Sequence, residues 1–515
     1  MLEGRLPPGV VPAETGPLAD LIDAERHRPD SVLLRSHTGS WTVAEFAAAV
    51  RSAAADLADH GTGPDSRVAI MARNSAPMLV AQYGVWAVGA CEVAVNYELR
   101  GPMLQHILTD SEPTLILADR EFHPLIHATG VDVPVLDLAQ VRLDRVDAPA
   151  PDVPLPGALA SVLYTSGTTG PSKGVMLPHG YFSNFAAVLN GVLDLDPSDT
   201  CYFTMPFFHV DAHITVPLCL RTGSVFAFAP RFSASRFWSD TEQFDVTWFG
   251  AVGSMLSALL TQPRPAEPVV CRLRHIVAAP VPHDAYTYFE DELGIPVLQM
   301  YGQTEANGPL YSTLDRRRRG AVGSACAGFD VRVAGPDGRE VPTGAVGELQ
   351  IRPQHPHMIT LGYWRRPHAT ADAFRDLWFH TGDLACIDED GFVHYRGRLT
   401  DSLRRRGENI SAFELESVVR NAPGVRDCAA VAVQDPLGGE DDIKLILVLD
   451  DPSGWDAAAF LDFCAEALPR FAVPRYLEVV DESVLVRGPG TGAIYKHLLP
   501  TGVTAQTLDS TLIKP

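Results

Sequence analysis

The stretch Ser166-Gly-Thr-Thr-Gly-Pro-Ser-Lys173-Gly174 constrains this chain more than any other. It lies between two short apolar runs, Ser161-Val-Leu-Tyr and Gly174-Val-Met-Leu, so it reads as the turn of a strand-loop-strand unit. Glycines let backbone N–H groups curl around phosphate oxygens, hydroxyls add donors, and an ammonium supplies a point charge. Thr165, Ser166, Gly167, Thr168, Thr169, Gly170 and Lys173 are therefore candidate polyphosphate ligands. The loop is not a Walker A motif, because the Gly-Lys-Ser/Thr ending is absent.

The periods on either side alternate. Val43 to Leu57 is helical, Arg67-Val-Ala-Ile-Met reads as a strand, and Met78 to Val88 reads as a helix against it. The alternation continues to about residue 320, which argues for stacked α/β layers. From Gly320 to Arg396 glycine turns separate short β-like runs such as Phe329-Asp-Val-Arg-Val and Gly347-Glu-Leu-Gln-Ile, as in a small β subdomain. After Gly397-Arg398 comes a compact unit with helix Ala412 to Arg420, strands Cys428 to Val433 and Ile443 to Leu449, and helix Trp455 to Ala467. A chain of 515 residues exceeds one ordinary core, so two domains are expected, 1–397 and 398–515. The polar tail Thr501 to Pro515 is expected to be disordered.

Composition excludes several partners. A formal net charge of −22 argues against nucleic acid and anionic membranes, and any site for an anionic polyphosphate must then be locally basic. The eight cysteines show no CxxC or CxxH spacing, as expected for reduced thiols in a cytoplasmic protein. The N-terminus is polar and proline-rich, and no run approaches the ~20 apolar residues of a membrane span. The runs Arg316 to Arg319 and Arg404 to Arg406 read as solvated faces or a local phosphate-binding rim. His209 and His213 have the i, i+4 spacing of metal ligands on a helix, but a zincin glutamate and a third ligand are missing.

Tyr164 to Gly174 resembles the phosphate loop of the adenylate-forming (ANL) superfamily, which includes acyl-CoA ligases, peptide-synthetase adenylation domains and luciferases. Further motifs of that superfamily follow in its order: Met205-Pro-Phe-Phe-His209, Ala278-Ala-Pro-Val-Pro282, Tyr301-Gly-Gln-Thr-Glu305, Gly347-Glu-Leu349, His380-Thr-Gly-Asp383, Gly397-Arg-Leu-Thr-Asp401 and Arg406-Gly-Glu-Asn-Ile410. The resemblance implies a large layered α/β domain with a small β subdomain, and a mobile small α+β C-terminal domain turning near Asp401. It implies ATP and Mg²⁺ as cofactors and a small-molecule carboxylic acid as substrate, in a monomer or homodimer.

The resemblance also assigns roles. Glu305 would hold Mg²⁺ while Thr304 donates to the α-phosphate. The face of Tyr301 would hold adenine, Asp383 and Arg398 the ribose, and Ala279, Pro280 and Gly302 are further cofactor-binding residues. His209 would gate an acyl pocket shaped by Phe249, Gly250, Ala278, Met300 and Gly308. Asp211 has two readings: an amine is mostly an ammonium ion at neutral pH and needs a carboxylate to bind and deprotonate it, or the residue is an ordinary polar side chain lining the pocket.

The terminal motif departs at one position. Gly490-Thr-Gly-Ala493-Ile-Tyr-Lys496 has alanine where the superfamily carries a lysine that bridges carboxylate and α-phosphate. The resemblance therefore implies an ATP-dependent ligase impaired in adenylation, passing its acyl group to an amine, with CoA as the alternative acceptor. A non-catalytic adenylate-binding protein is the third reading.

Overall fold

A computed structural model of the chain describes residues 2–3, 15–145, 148–165, 171–263, 272–398, 403–405, 408–410, 412–434, 440–486, 494 and 496–513. The expected phosphate-loop residues Ser166, Gly167, Thr168, Thr169 and Gly170, the hinge residue Asp401 and Ala493 lie outside the described residues, as does the side chain of Arg398.

The strands Val135–Asp137, Leu115–Ala118, Arg67–Met71, Cys91–Ala94 and Leu159–Thr165 form a parallel sheet in that order. Their near-continuous apolar runs fit strands covered on both faces. Lys173–Pro178 closes one edge antiparallel to Leu159–Thr165, with Thr165 opposite Lys173. The strand-loop-strand reading therefore holds, and both ends of the phosphate loop are pinned.

A second sheet of nine strands has a parallel centre: Val297–Gln303, His275–Ala279, Trp248–Val252, Thr200–Phe203, Val225–Phe228 and Val32–Ser36. One continuous core joins residues of both sheets with the helices Val43–Asp59, Ala76–Ala87, His179–Leu193 and Val210–Thr222. A second core, built on Phe237, Phe244, Phe249 and Phe289, takes the side chains that alternate to the other face of the nine-stranded sheet. Helix Val43–Asp59 starts where Thr42 and Glu45 form a capping box, the Glu45 carboxylate accepting from the Thr42 N–H at 2.7 Å.

The glycine-punctuated region forms the expected antiparallel sheet, with Phe329–Ala334, Gly347–Pro353 and Trp378–Ile387 in succession and Val393–Arg398 on the far side of Trp378–Ile387.

The small C-terminal domain holds a hairpin, Leu403–Arg405 with Glu408–Ile410, then helix Ala412–Val419. Its sheet runs Val425–Val433, Asp442–Leu449, Tyr476–Val479 and Leu508–Asp509. The helix expected from Trp455 spans Ala457–Ala467, because the Asp456 carboxylate caps it by accepting from the N–H groups of Ala458 and Ala459. Residues 501–513 of the tail are ordered. Leu508–Asp509 pairs with the strand Tyr476–Val479, and Thr504 and Thr507 donate to Glu478 at 3.0 and 2.6 Å. The fully buried Lys444 ammonium, paired with Glu478 at 2.8 Å, also donates to the carbonyls of Pro500 and Gly502. A buried charge needs such partners, so the lysine secures the tail.

Candidate active site

Lys173 and Glu305 come from different sheets and meet on one wall. The segment Met358 to Trp364 joins them: Trp364 N–H donates to the Gly174 carbonyl at 2.7 Å, Leu361 N–H to Met176, and Thr360 N–H to the Glu305 carbonyl at 2.8 Å. Tyr363 on this segment donates its hydroxyl to Glu305 Oε1 at 2.9 Å, and the Lys173 ammonium sits 5.1 Å from the Tyr363 ring centroid. Glu305 is only 8% exposed. A cation and a carboxylate held this way fit the polyphosphate end of a nucleotide with its Mg²⁺, which typically takes one or two protein carboxylates plus phosphate oxygens and water. Sequence reasoning missed Tyr363, since no motif marks it.

The residues expected to hold the nucleoside also come together. Tyr301 donates its hydroxyl to Asp383 at 2.6 Å, and Gln303 donates to the same carboxylate oxygen at 2.6 Å. Asp383 and Arg398 stand opposite one another in the antiparallel pair Trp378–Ile387 and Val393–Arg398. The backbone at Gly302 is close-packed: a Cβ there would lie 2.6 Å from the Gly308 nitrogen. Pro280 packs its carbonyl against Gly253 and does not line the cavity, whereas Ala279 does.

A cavity of about 390 Å³ opens beside these groups. Thr165, His209, Asp211, Gly250, Ala279, Met300, Gly302 and Thr304 line it, as expected, together with Trp248, Val277, Asn307 and Tyr311. Two expected pocket residues do not. Phe249 and Ala278 are 0% and 1% exposed and belong to the second core, because alternate residues of a strand face opposite ways. Gly308 is a third correction. It lies behind the wall with φ +66°, where an added Cβ would overlap the Tyr311 ring at 2.3 Å.

His209 precedes the helix Val210–Thr222 as its N-cap, which puts Asp211 in the first turn, where the helix end favours a negative charge. Asn307 donates to Asp211 Oδ1 at 2.9 Å. Behind them Tyr181 donates to the Thr304 carbonyl at 2.8 Å and accepts from the Asn307 N–H at 2.9 Å. Burial pushes the Tyr181 hydroxyl well above its ordinary pKa, so it stays a neutral hinge between the two loops.

The two histidines diverge. His213 is buried, with one ring nitrogen 2.9 Å from Glu92 and the other 3.0 Å from the His209 carbonyl, so both nitrogens are engaged. Burial by itself would raise Glu92, but the charge and hydrogen bond of His213, with bonds from Ser161 and Gln82, hold it below its ordinary pKa. His213 therefore braces the backbone under His209 and has no nitrogen left for a metal.

Contacts from the small domain complete the site. His209 Nε2 lies 3.0 Å from Glu408 Oε1, and Ser172 donates through its N–H and hydroxyl to Glu414 Oε1 at 2.5 and 2.6 Å. Glu408, Arg470 and Phe471 join the cavity lining. A second cavity of about 80 Å³ lies alongside, bounded by Met103, Ile107, Ser172, His209, Glu408, Glu414 and Phe471. Arg470-Phe471 between two prolines was a signal available in the sequence. Lys496, three residues past Ala493, does not stand in for the missing lysine here, since it pairs with Glu416 at 2.6 Å.

Residues 22–364 match the AMP-binding enzyme family, and residues 414–487 match the AMP-binding enzyme C-terminal domain. The chain belongs to the AMP-binding enzyme family. This AMP-binding enzyme is 33% identical over 477 residues to a feruloyl-CoA synthase from Amycolatopsis sp, covering 91% of this chain and 94% of the relative. Among solved structures it is similar to the amide bond synthetase McbA from Marinactinospora thermotolerans, with TM-score 0.82, 25% identity and coverage of 94% of this chain and 98% of that one. It is equally similar to o-succinylbenzoate CoA synthetase (MenE) from Bacillus subtilis as a double mutant bound to its product analogue, with TM-score 0.83, 25% identity and coverage of 93% and 98%. Against MenE with AMP, with its acyl-adenylate, or with ATP and magnesium, the TM-score is 0.69 at the same 93% coverage of this chain. Among the described residues no helix is long and apolar enough to cross a membrane.

Proposed function

We propose that this AMP-binding enzyme is an ATP-dependent carboxylate ligase that forms an acyl-adenylate and pyrophosphate and then transfers the acyl group to an amine. Adenylate-forming ligase chemistry, with ATP and Mg²⁺ as cofactors, belongs to the family. The amine acceptor rests on one observation: the Asp211 carboxylate faces the acyl cavity beside His209, bonded by the neutral Asn307.

In the first half-reaction a substrate carboxylate oxygen attacks the α-phosphorus of ATP, a new O–P bond forms, and the bond to pyrophosphate breaks. Lys173 steadies the polyphosphate and Thr304 lies at the α-phosphate, while Tyr301 and Asp383 hold the nucleoside. Mg²⁺, held by Glu305, would screen the charge of the phosphates. Ala493 withholds a charged donor from this step, and one such donor is worth roughly 10² to 10³ in rate. In the second half-reaction Asp211 takes a proton from the ammonium, the freed nitrogen attacks the acyl carbon, the C–O bond to AMP breaks, and the departing phosphate carries off the second nitrogen proton.

We place the domain boundary at 397/398 and the hinge at Asp401. The arrangement described above suits the second half-reaction, as the higher score against product-analogue-bound MenE supports at equal coverage. That similarity and the feruloyl-CoA synthase relative also favour the second reading, an acyl-CoA ligase. Against it, the small cavity on the acceptor side carries Glu408 and Glu414, which suit a cation better than a chain of phosphates.

Product mass spectrometry decides between them. The Ala493→Lys protein is supplied with MgATP, a panel of aryl and fatty acids, and a mixture of CoA and simple amines. Amide in excess over thioester is expected. Mainly thioester establishes the CoA ligase, and no AMP from any acid favours a non-catalytic adenylate-binding protein.

A further inference from the structure

Three elements of the large domain converge on Glu92, a fully buried side chain of the strand Cys91–Ala94. Gln82, on helix Ala76–Ala87, donates to one carboxylate oxygen at 2.9 Å, and the Ser161 hydroxyl donates to the other at 2.6 Å. Ser161 stands opposite Glu92 in the sheet, on the strand Leu159–Thr165 that enters the phosphate loop. The third element is helix Val210–Thr222, whose His213 bridges Glu92, at 2.9 Å, and the carbonyl of the N-cap His209, at 3.0 Å. The rings of Phe182 and Trp86 flank the imidazole, with centroids 5.3 and 6.1 Å away. Both members of the pair are 0% exposed, and apolar side chains of similar volume would serve stability as well. What hydrogen bonds add is direction, because they hold a backbone carbonyl at one point. The helix needs such a tie: Pro217 has no N–H to offer the His213 carbonyl, so the ladder is interrupted within its first two turns.

We propose that Glu92 and His213 are a positioning pair for acyl transfer, fixing the first turn of helix Val210–Thr222, with the Asp211 carboxylate on it, against the strand that leads into the phosphate loop. This rests on the amine-ligase reading above. In that reading Asp211 takes the ammonium proton while the nitrogen approaches an acyl carbon whose place is set by the adenylate on the phosphate-loop side. A misplacement of about 1 Å between such groups costs about 10² fold in rate. Side-chain contacts of 2.6, 2.9 and 3.0 Å, running from Ser161 through Glu92 and His213 to the His209 carbonyl, tie the two sides together. Asn307, on the strand Ala306–Tyr311, holds Asp211 from its other flank at 2.9 Å. Neither Glu92 nor His213 lines either cavity, so the pair acts only through His209 and Asp211.

The test separates the two half-reactions. His213→Gln, Glu92→Gln and the double variant are made in the Ala493→Lys background, and pyrophosphate release and amide formation are each followed with an acid and an amine that the parent accepts. His213→Gln is expected to lower kcat for amide formation about 10 to 10² fold, with pyrophosphate release and the acid KM within about twofold of the parent. The double variant is expected to fall no further than the weaker single variant, because the two residues work as one unit. An equal fall in both half-reactions makes the pair structural only and overturns the proposal, as do additive losses or amide formation at the parent rate. Should the glutamine variants not fold, Ser161→Ala, which removes one donor from Glu92, is read for the same split at about threefold, and its absence overturns the proposal. These outcomes leave the amine reading standing. A parent that forms no amide overturns that reading and this proposal with it.

Discussion

Neighbouring residues of one strand carry opposite duties here. Phe249 packs between Phe237 and Tyr202 in the second core, while Gly250 borders the acyl cavity with Trp248 and Met205 beside it. Phe249→Ala is expected to cost about 3–5 kcal/mol in denaturant unfolding and leave the order of acid preference unchanged. Gly250→Val is expected to do the reverse: stability within about 1 kcal/mol, with larger acids lost from the substrate range. Asp211→Asn, assayed in an Ala493→Lys background, is expected to lower amide formation roughly 10² to 10⁴ fold while pyrophosphate release stays near the parent rate. A parallel fall in both activities would make Asp211 a wall residue. Candidate positions were legible in the sequence wherever a motif fixed both residue type and spacing, as at Lys173, Thr304 and Asp383. The facing of strand residues was not, because Phe249, Gly250 and Ala251 are all apolar and the strand is buried on both sides, which erases the alternation that would reveal it.

Among the elements, the segment Met358 to Trp364 holds the polyphosphate wall together without any recognisable motif. Backbone bonds and side-chain bonds share the work: besides the backbone contacts, Thr360 Oγ1 donates to the Met176 carbonyl and Trp364 Nε1 to the Asp110 carbonyl. Tyr363 adds its hydroxyl on Glu305. Tyr363→Phe is expected to slow pyrophosphate release about tenfold, with unfolding changed by about 1 kcal/mol, the worth of one ordinary hydrogen bond. An unchanged rate would remove Tyr363 from the Mg²⁺ side of the site. Helices and strands were read well in kind because their apolar periods are long, as in Val43–Asp59 and Asp442–Leu449. Boundaries slipped where a side chain ended the element, as Asp456 does before Ala457–Ala467. The tail escaped because what orders it is a buried lysine 56 residues before Pro500, and polar composition alone suggests the opposite.

At the scale of the whole molecule, the placing of the small domain is the feature least visible in the sequence. It depends on pairs such as Ser172 and Glu414, 242 residues apart, each unremarkable in its own context. Acid stability also belongs to this scale. His179 and His275 are buried, and burial pushes both down from 6.5 to about 4. Between those values the unfolded chain binds protons that the folded one refuses, so stability is full above about 6.5 and falls as pH drops towards 4. Near pH 5 each histidine contributes a slope of about 1.4 kcal/mol per pH unit. Urea midpoints from pH 7 to 4.5 are expected to fall accordingly, and His275→Asn to flatten the profile by about one proton; an unaltered slope in that variant would assign the acid sensitivity elsewhere.

The fastening of the chain's end has a practical side. Because Leu508–Asp509 completes the small-domain sheet and Lys444 grips the segment before it, a carrier bead or fusion partner attached at the C-terminus would seize the small domain, the part that turns between half-reactions in the proposed function. Immobilised preparations for flow synthesis should therefore be anchored through the large domain.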